Sequence, residues 1–353
     1  MNDRLRRAGG LVPGVALAIA VAAAAVLLHA QLPAALGRGL GAVLFAVLLG
    51  LVVGNLAPLP ASTASGVRFA ARTVLQLAIV LLGARFHLAE IAALGGPALL
   101  LVIALMTLAL IVASQLGRWL GVDRRLSDLI AVGTAVCGNS AIAATAPVIG
   151  ARDEDVSFAV ATNTLLGTLA VFAYPLIGRA LGFDPVLFGV WAGAAVNDTS
   201  QVVATGFAYG PEAGETAVTV KLVRNALMGA VIVFMGVRYR QQTAGDTARA
   251  GGWWTQARRA LPPFVIGFLA LATLRTLGAF DVASATVGVD LADLCARASK
   301  AMILVALAGV GLGTRAAVMR RTGPRPFYLG LATALATSLT CLALLQLIGP
   351  KLF

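Results

Sequence analysis

Five consecutive polar residues, NDTSQ at 197–201, interrupt a stretch otherwise built from Ala, Val, Leu and Gly. An unpaired polar group is costly in hydrocarbon, so such a run is tolerated only against protein or beside a water-filled cavity. Successive helical residues point about 100° apart, and one helix face therefore cannot hide all five. The run predicts a break in a membrane-embedded helix whose freed backbone groups face a site.

A second segment, CGNSA at 137–141, has the same character in milder form, and Gly138 supplies the backbone freedom that a break requires. At such breaks the half-helix N-termini present unpaired N–H groups to an anion, while the carbonyl ends can hold a cation. Hydrogen bonding between tightly packed helices is an open alternative. The predicted substrate-binding residues in the two breaks are Asn139, Ser140, Asn197, Thr199, Ser200 and Gln201.

Asp198 is a carboxylate deep in an apolar stretch, where a charge is costly and by default indicates function. We predict that it couples transport to an ion by binding a proton or sodium. The alternative is a structural ion pair with Lys221 or Arg224.

Lys221 and Arg224 lie three residues apart and so share one helix face. They are predicted to offer positive charge to an anionic substrate. Two alternatives are open. Either residue could neutralise Asp198, or Lys221 could extend outward to the headgroups.

An internal repeat relates the two polar segments. GTAVCGNSAIAAT at 133–145 matches GAAVNDTSQVVAT at 193–205, and the match continues so that Asn163 corresponds to Asn225. We expect these two asparagines to brace the breaks, and we assign the repeats to 133–178 and 193–237. The repeats are inverted only if the polar segments re-enter the membrane, and the sequence leaves open whether they re-enter or cross.

The composition of the chain predicts the elements that position these residues. Of 353 residues, 59% are hydrophobic and 12% charged, which indicates a membrane protein. Continuous apolar stretches of about 20 residues favour helices over a barrel. We therefore predict an all-α polytopic membrane protein: a single transporter domain, 1–353, with a cytoplasmic loop at 241–259. About eleven transmembrane segments are expected, at 11–29, 38–54, 69–86, 96–116, 127–150, 156–178, 184–208, 214–237, 260–279, 288–313 and 326–348.

The net charge of +12 raises the question of a nucleic-acid partner. Most of the 27 basic residues, Arg68 and Arg72 among them, lie on the cytoplasmic side when the N-terminus is placed in the cytoplasm. This bias follows the positive-inside rule, so it predicts a cytoplasmic N-terminus and no nucleic acid. The expected partners are the lipid bilayer and a small anion, and the sequence allows a homodimer.

Enzymatic chemistry is not predicted. No nucleophile stands with a base, and Cys137, Cys295 and Cys341 lie in apolar segments without metal-ligand spacing. We expect no catalytic residue, no metal site and no cofactor other than Na⁺ or H⁺ as a coupling ion.

AVGTAVCGNSAIAATAPVIG from 131, AGAAVNDTSQVVATG and KLVRNALMG together resemble the YeiH-type family of bacterial inner-membrane proteins. The family name implies export of sulfate or related sulfur oxyanions. The resemblance also implies a distant relation to bile-acid and arsenite carriers, which have inverted repeats and crossed, interrupted helices. We therefore predict a secondary transporter that exports a small inorganic or organic sulfur-containing anion such as sulfate or sulfite. An anion channel and a membrane sensor or binding protein without transport are the alternatives.

Overall fold

The structure, a computed structural model, describes residues 10–31, 42–56, 59–240, 262–314 and 324–352. These residues form helices and connecting turns, with no strand among them. The predicted loop 241–259 lies outside the described residues. The helices are α1 (Val12–Ala30), α2 (Ala42–Leu56), α3 (Ala61–Arg85, with a π-helical turn at Ala70–Val74), α4 (Leu88–Trp119), α5 (Arg124–Ala135), α6 (Asn139–Ile149), α7 (Asp153–Ala180), α8 (Pro185–Ala195), α9 (Thr199–Tyr209), α10 (Pro211–Ala226), α11 (Met228–Arg240), α12 (Pro263–Thr276), α13 (Ala279–Val287), α14 (Leu291–Gly313) and α15 (Pro324–Leu352).

The predicted fold class, an all-α polytopic membrane protein, is confirmed. Within the described ranges, seven helices or continuous helix pairs are long and apolar enough to cross a membrane. The pair α12 and α13, bent by 71°, gives up to eight, and α2 is a shorter apolar helix. Two of the predicted segments, 127–150 and 184–208, require a correction, because each is a pair of short helices that folds back on itself.

Hairpin 1 consists of α5, the break at 136–138 and α6. The pair would extend about 35 Å or more if it were straight. Instead, a Cβ on Gly150 after α6 would lie 3.9 Å from the guanidinium of Arg125 in the first turn of α5. Since both ends lie together, hairpin 1 enters and leaves on one face of the protein.

Hairpin 2 consists of α8, the break at 196–198 and α9. The Tyr209 ring at the end of α9 stacks on Phe188 in the first turn of α8, with ring centroids 3.8 Å apart. The Tyr209 hydroxyl also donates a hydrogen bond to the carbonyl of Phe183, which precedes α8. This segment is therefore also re-entrant.

The two hairpins enter from opposite faces. Hairpin 1 leads into the start of α7, whereas Arg179 near the end of α7 donates to the carbonyl of Ala208 at the end of hairpin 2. The continuous pair α10 and α11 then returns to the first face, where Arg238 lies 3.5 Å from Asp128 of α5. A hairpin followed by a crossing helix thus occurs twice, in opposite orientations, and the sequence repeat is inverted.

Apolar packing divides the described helices into two bodies. One cluster lies within the hairpin body, formed by α4 to α11 and α15. Another lies within the scaffold body, which consists of α1, α2, α3 and α14, with α12 packed against α3 and α13 against α12 and α14. A third cluster joins the two bodies along α2, α3, α9, α10, α12 and α14. Because each body has its own core, their contact is a distinct interface in which a site can form.

Candidate functional site

A cavity of about 500 Å³ lies between the two bodies, beside both helix breaks. The hairpin body contributes the first turns of α6 and α9 together with Thr164 of α7. The scaffold body contributes one face of α3 and the end of α14. The predicted site residues that line it are Asn139, Ser140, Asp198, Thr199, Ser200 and Gln201.

The tips of the two hairpins touch. A Cβ on Gly138, whose φ is +70°, would lie 2.8 Å from Nδ2 of Asn163 and 2.9 Å from Cα of Asp198. Only glycine fits both this conformation and this spacing. The contact brings the N-termini of α6 and α9 to one cavity, where their unpaired N–H groups favour an anion.

The two breaks are braced in equivalent ways, as the repeat predicts. Asn163 donates to Oδ1 of Asn139 at 3.0 Å, and Asn225 donates to Oγ1 of Thr199 at a longer 3.4 Å. Each asparagine on a crossing helix thus holds the first residue of the half-helix in its own repeat. Both stand behind the cavity wall, at 4% and 1% exposure.

Asp198 is the N-cap of α9. Its Oδ1 accepts hydrogen bonds from the backbone N–H of Ser200 at 3.0 Å and from the Ser200 hydroxyl at 2.7 Å. The side chain is half-buried and is the only acidic one among the described residues that line the cavity. No ion pair joins it to Lys221 or Arg224 in the described ranges.

Lys221 and Arg224 do not line the cavity, which corrects the expectation that they contact the substrate directly. They are 0% and 3% exposed, and they hold the carbonyl ends of the half-helices. The backbone carbonyls of the breaks are thereby capped by charge, because the C-terminal ends of α5 and α8 carry partial negative charge. Lys221 donates to the carbonyls of Val136, Val196 and Asn197, and Arg224 donates to those of Ala135, Ala194 and Val196.

Two further predicted residues differ in their surroundings. The Asn197 side chain is buried outside the cavity, and its Oδ1 has no hydrogen-bond partner among the described residues. Gln201 lines the cavity although it is only 4% exposed. Its Nε2 donates to the carbonyl of Thr164 at 3.1 Å, and its Oε1 is unpartnered within the described residues.

The sequence interpretation missed Arg68 and Arg72 as site residues and counted them only among the basic residues of the cytoplasmic side. Helix α3 begins at Ala61, earlier than predicted, so both arginines lie within it and line the cavity together with Gln76. Neither arginine has a carboxylate partner in the part of the chain that the structure describes. Their spacing of four residues, continued by Gln76, is the signal that could have shown a polar helix face.

Comparisons with known proteins show the family of this chain. The family described as Conserved hypothetical protein 698 matches residues 13–330. The UPF0324 membrane protein TauZ of Paracoccus pantotrophus is 37% identical over 290 residues, which cover 81% of this chain and 82% of that protein. A UPF0324 membrane protein of Streptococcus pyogenes serotype M6 is 33% identical, over 81% of this chain and 84% of its own length. The chain belongs to the UPF0324 (YeiH-type) membrane protein family.

In this UPF0324 protein the far end of the cavity is closed by apolar side chains. Ile79 lines the cavity, and the interface cluster continues beyond it with buried residues from both bodies. Leu82 and Phe268 of the scaffold body pack in the same cluster as Val203 and Leu222 of the hairpin body. The cavity therefore opens toward the face where α3 begins and is sealed toward the face where α3 ends.

Proposed function

We propose that this protein is a secondary transporter that exports a small sulfur-containing anion, such as sulfate, sulfite or a small organic sulfonate. The observation that carries the proposal is the cavity at the meeting point of two inverted hairpins. Its wall combines two half-helix N-termini with Arg68 and Arg72, which have no carboxylate partner among the described residues. Backbone N–H groups and guanidinium groups are the donors that bind oxyanions.

The charges in the wall favour an anion. Arg68 and Arg72 supply two positive charges, each helix N-terminus adds about half a charge, and Asp198 supplies one negative charge. The cavity is much larger than a bare sulfate, so it accommodates bound water or a small organic sulfonate. The choice of sulfur oxyanions rests on the name of the YeiH-type family.

Transport by alternating access is supported by the two-body arrangement. A site between two separately packed bodies, open to one face and sealed by apolar side chains toward the other, can expose the anion to each face in turn. The same seal disfavours an open channel. A sensor without transport is also disfavoured, because both hairpins form the wall of a cavity rather than a surface for a partner protein.

The proposed orientation agrees with export. With the N-terminus in the cytoplasm of a bacterial inner membrane, as the bias of the basic residues indicates, the open face of the cavity is cytoplasmic. An exporter loads its substrate from that side. Asp198, the one acidic residue described in the cavity wall, is the proposed site for the coupling proton or sodium ion. No catalytic step is proposed, and a homodimer stays a prediction.

The direct test is uptake of radiolabelled sulfate and sulfite into proteoliposomes, with and without imposed proton and sodium gradients. Gradient-stimulated uptake that saturates with substrate supports the proposal. Flux that never accumulates the anion against its gradient would instead support a channel. No flux of sulfate, sulfite or, in the same assay, methanesulfonate under any gradient would rule out the sulfur-oxyanion transporter.

A further inference from the structure

A second, strongly basic cavity lies at the opposite face of the protein. Its volume is about 290 Å³, and it forms where α3 ends, whereas the main cavity ends near Ile79 of the same helix. The interface cluster that includes Leu82 packs between them along α3. Both bodies meet at this face too, so the basic cavity stands at the closed mouth of the proposed pathway. Four basic residues line it: Arg85, Arg275, Arg297 and Lys300.

Positive charge exceeds negative charge at this cavity. Lys300 is exposed, and no carboxylate within the described residues pairs with it. Among the described residues that line the cavity, four are basic and one, Asp293, is acidic. Each arginine retains N–H donors beyond those used in its ion pair, because a guanidinium carries five. Three of the basic residues pair with one carboxylate each: Arg85 with Glu215, Arg275 with Asp281 at 2.6 Å, and Arg297 with Asp293 at 2.6 Å.

Lys300 connects this cavity to the interface between the bodies. It also lines a neighbouring gap of about 370 Å³, whose walls come from Ile303 of the scaffold body and Phe207 of the hairpin body. An anion bound by Lys300 would therefore lie beside the interface between the two bodies, which must open for the anion to be released. Arg85, at the end of α3, lies on the same side of the seal.

Glu215 differs from the other two carboxylates because it belongs to the hairpin body. Among the ion pairs whose two partners are both described, only the pair of Glu215 and Arg85 joins the scaffold body to the hairpin body. The side chain of Glu215 is only 15% exposed, and both Arg85 and Lys300 attract it. A carboxylate resembles an oxyanion as a hydrogen-bond acceptor, so Glu215 holds the cations that a substrate anion would otherwise bind.

We infer that Arg85, Arg297 and Lys300 form a second oxyanion site at the opposite mouth, in which Glu215 competes with the anion while that face is closed. When the bodies separate at this face, Arg85 leaves Glu215 and becomes available to the departing anion. The inference rests on the proposed transport function and adds a release site to it.

The test measures binding of inorganic sulfate to the purified full-length protein in nanodiscs of phosphatidylcholine. The double variant R68Q/R72Q removes the cations of the main cavity and leaves the second site as the binding site to be measured. In that background we expect weak sulfate binding that K300Q abolishes and that E215Q strengthens by up to about fivefold. The matched control is R118Q, which removes an exposed arginine that lines neither cavity.

Each outcome separates the second site from the main one. If the wild type binds sulfate but the double variant does not, the second site is wrong and the proposed function stands. If sulfate binding in the double variant is unchanged by both K300Q and E215Q, the second site is also wrong. If the wild type itself binds none of sulfate, sulfite and methanesulfonate, the proposed function fails with it.

Anionic lipid headgroups share the chemistry of the proposed substrate, so a separate experiment tests whether they occupy the second site. The binding experiment is repeated with phosphatidylglycerol added to the nanodiscs, and bound lipid is counted by native mass spectrometry. Sulfate binding that survives the added lipid supports a site on the pathway. Loss of sulfate binding together with retention of phosphatidylglycerol by the protein, but not by its K300Q variant, would assign the site to a headgroup and overturn the inference.

Discussion

Gly138 and Asp198 occupy equivalent positions in the two inverted repeats, and their backbones meet where the hairpin tips touch. A Cβ on Gly138 would lie 2.9 Å from Cα of Asp198. The residue that caps one half-helix thus lies against the residue that precedes the other. This contact brings two helix N-termini and a carboxylate to one cavity.

Replacing Gly138 with alanine should separate the hairpin tips. The new Cβ meets Asn163 and Asp198 at 2.8 to 3.0 Å, and the residue has φ of +70°. Overpacking and the left-handed conformation each cost about 1–2 kcal/mol, so we expect lower thermal stability and weaker sulfate binding. The matched control is G182A, because Gly182 has φ of +67° with no atom within 4 Å of its Cβ position. Equal effects of the two variants would show that the tip contact is unimportant.

Replacing Arg68 and Arg72 with glutamine should weaken anion binding without unfolding the protein, since both side chains are exposed to the cavity. Hydrogen bonds to charged groups contribute about 1.5–3 kcal/mol, which corresponds to a loss of about ten- to hundredfold in affinity per arginine. Calorimetric titration with sulfate measures the change, with R118Q as the control. Unaltered affinity in R68Q/R72Q would exclude a direct role for these two residues.

Replacing Asp198 with asparagine should uncouple transport. The amide oxygen can still accept from the backbone N–H of Ser200, so the cap of α9 is retained while the charge is lost. We expect proteoliposome uptake under a proton or sodium gradient to fall to its level without the gradient, while sulfate binding persists. D198A, which also loses the cap at a cost of about 1 kcal/mol, separates the structural contribution. Full gradient stimulation in D198N would make Asp198 a structural cap.

Replacing Lys221 with methionine should destabilise the hairpins, since the carbonyls of Val136 and Asn197 lose their charged donor while that of Val196 keeps Arg224. Buried unsatisfied groups cost about 1–3 kcal/mol each, so a clear fall in the thermal midpoint is expected. R118M, which removes an exposed arginine that lines neither cavity, should change the midpoint little. The position of Lys221 behind the cavity would be refuted if K221M kept wild-type stability and lost only sulfate affinity, because direct substrate contact predicts that result.

Several features followed from local sequence. The apolar stretches required membrane helices because hydrocarbon leaves no partner for a free backbone group. The polar runs around Gly138 and Asp198 predicted breaks for the same reason. The repeat correctly paired Asn163 with Asn225, because equivalent positions in related units make equivalent contacts.

The remaining features depended on contacts between distant segments. Whether the breaks crossed or re-entered was decided by packing such as Tyr209 on Phe188, which no spacing in the chain encodes. Lys221 lies behind the site and Arg72 within it because the two bodies meet on the face of α3, whereas the sequence interpretation assigned this arginine only to the cytoplasmic side. The sequence by itself determined that the chain is a helical membrane protein with two repeated breaks, since solvation acts residue by residue. The tertiary structure decided which charges face the cavity, because that depends on how separate helices pack.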